Sequence, residues 1–183
     1  MILNTHHRPI MINYKEKLGP IRAFVFDFDG VMTDGSVWVY ADRETVRCGN
    51  IKDGFAIQYA VKRGYTIAVI SGATSASIDN RMQMLGVTQV YTGCGNKAET
   101  FDKFLRTNNL RPEEVLCMGD DIPDMLILQR AGVATCPADA AIEVKEMADY
   151  ISPWGGGHGC VRDVIEQVLR LHDQWFKPEA VLW

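Results

Sequence analysis

From residue 21 onward, short apolar runs alternate with segments of helical periodicity. The run IRAFVFDF is rich in β-formers and ends in acidic residues and Gly30, which predicts a buried strand. SVWVYADRETVRC alternates on both sides of Ala41-Asp42-Arg43 and predicts a hairpin. A helix is expected to open at Asp53, to carry Ile57, Ala60 and Val61 on one face and to close at Gly64. YTIAVI predicts a second buried strand, followed by Ser71-Gly72 and a helix to about Leu85. VTQVY, EVLCMG and GVATC predict three more strands. Helices are expected over 96–107, over IPDMLILQRA, where Pro123 is tolerated in the first turn, and over 139–147. Beyond the loop PWGGGHG, Val161, Val164, Ile165, Val168 and Leu169 recur at helical spacing and form the apolar stripe of a last helix.

Strands alternating with helices imply βαβ units. The fold class expected is therefore α/β: a Rossmann-like three-layer α/β/α sandwich with a parallel sheet and a β-hairpin flap after the first strand. Residues 1–20 are polar and aperiodic at first and are expected to form a loose arm. Residues 21–175 would form the single domain, and 176–183 a C-terminal tail.

Composition narrows the function classes. The chain is 47% apolar and 23% charged, ample for a buried core. Nineteen basic side chains against 23 acidic ones leave a net charge of −4, which argues against a nucleic-acid or anionic-membrane partner. The sequence offers no apolar run of the ~20 residues needed for a membrane span, and no signal-peptide core. Cys48, Cys94, Cys117, Cys136 and Cys160 are odd in number and widely spaced, so reduced, structural thiols in a cytoplasmic protein are expected.

In a parallel sheet, chemistry collects beyond the carboxyl ends of the strands. There the sequence places Asp27-Phe28-Asp29-Gly30, then Ser71-Gly72, then Lys97 at a helix start, then Gly119-Asp120-Asp121-Ile122-Pro123-Asp124. Clustered carboxylates ~4 Å apart repel by about 4 kcal/mol at an effective dielectric near 20, so Asp27, Asp29 and Asp120 need a cation or raised pKa values. Oxygen donors of this kind suit Mg²⁺ together with a substrate phosphate. Ser71 and Lys97 would supply a donor and a positive charge to a phosphoryl group. Of Asp27 and Asp29, one can attack phosphorus while the other manages protons. Any one of these pieces alone is ordinary turn or cap chemistry. The four in this order are not.

FVFDFDGV, VISG, Lys97 and GDDIPD resemble, in order, the four motifs of the haloacid dehalogenase superfamily. That resemblance implies a phosphatase in which Asp27 is the nucleophile and Asp29 the acid and then the base. Ser71, Gly72 and Lys97 would bind the phosphoryl group. Asp27, the main-chain carbonyl of Asp29 and Asp120 would hold Mg²⁺, with Asp121 and Asp124 supporting the metal site and orienting Lys97. A signalling receiver domain gathers similar groups, but its phosphoacceptor follows the third strand, where this chain has Thr92-Gly93-Cys94.

Members of the superfamily usually carry a lid domain after the first motif or before the fourth. Here the hairpin and one helix fill the first interval, and a helix and a strand fill the second, so no cap domain is expected. DGVMTDG, GNIKDGFAIQYAVKRG and GGGHGCVRDVIEQVL are similar to the capless branch that hydrolyses 3-deoxy-D-manno-octulosonate 8-phosphate for lipopolysaccharide synthesis. That likeness implies a homotetramer in which hairpin and tail close a neighbour's site. Lys52 and Asp53 would face the substrate across the interface, and Gly156, Gly157 and His158 would lie in the tail loop. Trp38, Trp175 and Trp183 are candidate interface anchors. Ala73-Thr74-Ser75 lacks the arginine common after the second motif, and Lys52 stands where arginine is usual. Phosphatases for 2-keto-3-deoxy-nonulosonate 9-phosphate or another sugar phosphate are the alternatives, and a non-catalytic regulatory domain of the same fold is a more distant one.

Overall fold

The apolar run at 21–28 becomes strand β1 (Ala23–Phe26), whose side chains go alternately to two opposite cores. Phe24 and Phe26 join one cluster, and Ala23 and Val25 the other. A computed structural model describes residues 13–41 and 45–181. After β1 come the hairpin strands β2 (Trp38–Val39) and β3 (Thr45–Val46) and helix α1 (Ile51–Lys62). Then follow β4 (Thr66–Ile70), α2 (Ala76–Met84), β5 (Gln89–Tyr91), α3 (Lys97–Asn108) and β6 (Val115–Met118). The chain ends with α4 (Met125–Leu128), β7 (Val133–Cys136), α5 (Ile142–Met147), β8 (Tyr150–Ile151) and α6 (Cys160–Leu171).

Six strands form one sheet in the order β5-β4-β1-β6-β7-β8, and every pairing is parallel. The central strands bury both faces, as crossover helices require. Ile67 and Val69 of β4, with Leu116 and Met118 of β6, lie on the side of α1, α2 and α6. Ala68, Ile70, Val115 and Cys117 lie on the side of α3, α4 and α5. Each fully buried Phe or Ile contributes about 2 kcal/mol through removal of its apolar surface from water. The expected α6 stripe (Val161, Val164, Ile165, Val168, Leu169) is buried throughout, and α1 packs along it.

The chain visits β4 and β5 on one side of β1 and then β6, β7 and β8 on the other. This reversal opens a crevice at the carboxyl ends of β1 and its neighbours, the place where open α/β sheets bind ligands. Among the described residues only the hairpin and α1 lie between β1 and β4, and no cap domain covers the crevice.

Several boundaries differ from expectation. α1 opens at Ile51 because Asn50, not Asp53, caps it: the Asn50 side chain accepts from the amides of Lys52 and Asp53. The 122–131 segment is a 3₁₀ turn followed by a four-residue helix, and the 139–147 helix shortens to α5. β8 was not expected. Residues 13–20 are not loose either: Tyr14 stacks on Tyr150 with ring centroids 4.5 Å apart, and Leu18 is buried. The earlier part of the expected arm, the hairpin turn at 42–44 and Trp183 lie outside the described residues.

Candidate active site

The register Phe26↔Val69 and Phe26↔Met118 carries the chain out of β1 between the ends of β4 and β6. Asp27 therefore emerges past the ends of both strands, next to the 119–124 loop, and its amide donates to Met118 O at 3.0 Å. Asn96 caps α3 through Ala98 N and Glu99 N, which sets Lys97 at the helix start, facing the strand ends. Lys97 Nζ donates to Asp27 Oδ1 at 2.8 Å and to Asp124 Oδ1 at 2.6 Å. All three side chains are nearly buried.

Asp124 also holds the fourth-motif loop. Its Oδ2 accepts from Asp120 N at 3.1 Å and from Asp121 N at 3.5 Å. With both oxygens engaged, Asp124 serves as the brace between Lys97 and that loop. Asp121 stands on the rim of the same cleft and caps its own 3₁₀ turn by accepting from Ile122 N at 2.8 Å; among the described residues Asp124, not Asp121, is the one that bonds Lys97. Two glycines make the geometry possible. A Cβ on Gly30, which has φ +85°, would come within 2.5 Å of Asp120 Cγ, and one on Gly119 within 2.6 Å of Asp124 Cγ.

The electrostatics are those of crowded acids. Oxygens of Asp27, Asp120 and Asp124 lie within 4.8 Å of one another. Burial, then the Asp124 charge, pushes the Asp27 carboxyl up to about 6 against the pull of Lys97. Burial, then Asp27, Asp124 and Asp121, pushes Asp120 up to about 7. Burial alone would lower Lys97, but the two carboxylates override it and hold the ammonium above its ordinary value. A cluster of hard oxygens this poorly neutralised fits a divalent cation such as Mg²⁺. Asp27, Asp29, Gly30, Lys97, Asp120 and Asp124 line a cleft of about 290 Å³. A larger hollow, about 530 Å³, lies at the opposite end of the sheet around Gly19 and Arg63 and gathers no acidic cluster.

The remaining expected residues fall into two groups. Ser71 is buried at the end of β4 and its Oγ accepts from Ala73 N at 3.2 Å, which leaves its own O–H free to donate. Gly72 follows it, near Cys94 O. Asp29 is partly exposed, and its Oδ1 accepts from Arg47 Nε at 2.5 Å. Arg47 was missed in the sequence because nothing there ties it to a residue 18 positions away.

Lys52 and His158 share a separate hollow of about 500 Å³ with Arg162 and Trp154, and do not line the acidic cleft. Asp53 departs from expectation altogether. It is buried, with Oδ1 accepting from Arg162 N at 2.7 Å and Oδ2 from Gly159 N at 3.2 Å, so it caps α6 instead of facing a substrate. Trp175 is likewise an internal anchor, edge-on to Phe55 and Tyr59 with the Arg162 guanidinium 5.5 Å from its ring.

Comparison with known proteins agrees with this geometry. Residues 86–162 match the haloacid dehalogenase-like hydrolase family. The 3-deoxy-D-manno-octulosonate 8-phosphate phosphatase KdsC of Escherichia coli is 31% identical over 167 residues, covering 91% of this chain and 89% of that one. The crystal structure of the phosphatase of that name from Yersinia pestis superposes with a TM-score of 0.87 at 29% identity, covering 88% of each chain. The Moraxella catarrhalis phosphatase, solved with magnesium, phosphate and KDO, gives 0.83 at 26% identity, covering 85% of this chain and 90% of that one. This chain belongs to the haloacid dehalogenase-like hydrolases, in the family of the 3-deoxy-D-manno-octulosonate 8-phosphate phosphatases.

Proposed function

We propose that this chain is a Mg²⁺-dependent phosphatase that releases inorganic phosphate from 3-deoxy-D-manno-octulosonate 8-phosphate through a phospho-aspartate. The observation that carries the reading is Lys97 clamped between Asp27 and Asp124 beside Asp120, in a chain similar throughout to phosphatases of that name. Asp27 attacks phosphorus as the bond to the sugar oxygen breaks. The leaving oxygen keeps the electron pair and takes a proton from Asp29. Water then gives a proton to Asp29 and its oxygen to phosphorus, which restores Asp27. Lys97 and the Ser71 hydroxyl hold phosphoryl oxygens, with Gly72 letting the backbone approach. Asp27, Asp120 and the main-chain carbonyl of Asp29 would hold Mg²⁺, which supplies positive charge to the phosphoryl group and to the crowded acids.

The working unit in this reading is a homotetramer. The flap exposes Val37 (47%), Trp38 (68%), Val39 (71%) and Tyr40 (56%), apolar side chains on both sides of the strand that a second copy would cover. Lys52 and His158 line a hollow apart from their own cleft, and in this reading they serve a neighbour's. A cytoplasmic location fits five thiols that are all unpaired. No described helix is long and apolar enough to cross a membrane.

The test is phosphate release, with and without Mg²⁺, from phosphorylated eight- and nine-carbon keto acids and from hexose phosphates. Preference for the octulosonate is expected. Preference for 2-keto-3-deoxy-nonulosonate 9-phosphate would move the chain to the neighbouring specificity, and no hydrolysis of any ester would remove the enzymatic reading.

A further inference from the structure

We propose that Arg47 is the positioning residue that fixes the proton-handling carboxylate, Asp29, and that it ties this carboxylate to the hairpin flap. The inference rests on the phosphatase reading above.

Arg47 follows β3 at the base of the flap. Its Nε donates to Asp29 Oδ1 at 2.5 Å, and its Nη1 donates to Thr45 Oγ1 at 2.9 Å. The Arg47 side chain is 9% exposed, whereas that of Asp29 is 32% exposed. The cation is thus the packed, held partner and the carboxylate the one that would otherwise swing. Among the described residues no other hydrogen bond or ion pair holds the Asp29 side chain: it sits on the turn between β1 and Gly30, and its Oδ2 accepts no hydrogen bond from them. A contact through one oxygen suits the chemistry. Oδ1 is tethered, and Oδ2 is left to give a proton to the departing alcohol and to take one from water. The tether reaches the flap through Thr45 of β3, and the Thr33↔Gly49 bridge separately joins the two ends of the flap segment just beyond the catalytic turn.

A proton donor matters most when the leaving oxygen is a poor one. The test uses the full-length protein with Mg²⁺ and a series of ring-substituted phenyl phosphates, from p-nitrophenyl phosphate to unsubstituted phenyl phosphate. None of these carries a sugar-acid carboxylate, so recognition of that group cannot enter. For Arg47→Ala, kcat/KM for phenyl phosphate should fall at least about tenfold further than for p-nitrophenyl phosphate, a share of the ~10²–10⁴ that positioned acid–base groups contribute. Arg47→Lys should restore most of the loss, because a monodentate contact needs a charge within reach more than a planar fork. Thr45→Val, which leaves Asp29 and Arg47 in place, should shift the series in the same direction by less.

An unchanged leaving-group series in Arg47→Ala, with only a raised KM for the octulosonate phosphate, would make Arg47 a substrate contact and overturn the proposal. Loss of rate uniform across the series, unrescued by lysine, would also overturn it, as a folding defect. Failure of the wild-type protein to hydrolyse any ester would instead remove the phosphatase reading, and this inference with it.

Discussion

Gly156 lies directly beneath Gly30: a Cβ on Gly156 would stand 2.6 Å from the Gly30 carbonyl carbon and 2.7 Å from Thr33 O. Backbone meets backbone here, so no flexible side chain can give way. The loop is pinned around the same point, with Gly157 N donating to Val31 O, Gly156 N to Asp139 Oδ1, and Asn50 Nδ2 to Gly157 O, each at 2.9 Å. PWGGGHG is therefore the floor under the turn that carries Asp27 and Asp29. It connects α1, α6 and the active site.

Gly156→Ala should consequently lower stability by about 1–3 kcal/mol, the usual range for forced overpacking, and should slow turnover by displacing Gly30. Thermal melting and phosphate release measured together check this. Wild-type values for both would mean that the floor yields freely.

Asp53 supplies a second test, because its role in the structure differs from the substrate contact expected of it. Asp53→Ala removes the acceptor for two amides at the start of α6. A loss of about 1–3 kcal/mol is expected, with KM for the sugar phosphate little changed. A large rise in KM at unchanged melting temperature would return Asp53 to the substrate.

The acid cluster makes stability depend on pH in a definite direction. Asp27 and Asp120 ionise at about 6 and 7 in the folded protein, above the ordinary 3.8. The folded state then binds more protons than the unfolded one between about pH 4 and 7, so stability falls as pH rises through that window. Buried Asp53 is also raised and adds to the same slope. Melting temperatures in EDTA should therefore decline from pH 5 to 7.5. Mg²⁺ should offset the part due to Asp27 and Asp120 and leave that of Asp53. An identical decline with and without Mg²⁺ would count against a metal at this cluster.

The sequence made the strands legible because β1, β4 and β6 are buried on both faces and read as unbroken apolar runs. The strand-end acids were legible because a parallel sheet has only one chemically useful end. What was hidden depends on distance in the chain. β8 is two residues long and exists because β7 offers it an edge. The α1 start is ambiguous in sequence because Asn50 and Asp53 are both good capping types, and only packing against α6 decides that Asp53 turns inward. Arg47 carries no motif. Its importance lies wholly in the partner that the flap brings to it.

Asp27→Asn should abolish turnover, since an amide oxygen is too poor a nucleophile to take the phosphoryl group, while the fold persists. Removing a buried charge that Asp124 repels should leave the Mg²⁺-free protein at least as stable near neutral pH. Near-normal rates in this variant would transfer the nucleophile's role to another residue.

Asp124 tests the clamp itself. Its carboxylate takes Lys97 on one oxygen and the amides of Asp120 and Asp121 on the other, so it sets the position of the ammonium and of the fourth-motif loop together. Asp124→Asn keeps the volume but replaces one acceptor with an N–H₂ group, which must face either Lys97 or the Asp120 amide. Either arrangement opposes donor to donor. Freed on that side, Lys97 would close on Asp27 and blunt the nucleophile, while the Asp120 loop loses its tie. Turnover should fall about 100-fold or more, on the scale of losing a preorganised electrostatic contact, and half-saturation by Mg²⁺ should move to higher concentration. Asp124→Ala should add a lower melting temperature through the space left beside Gly119. Steady-state rates across a Mg²⁺ titration separate the two effects. Wild-type kcat in Asp124→Asn at saturating Mg²⁺ would show that Lys97 holds its place through Asp27 alone.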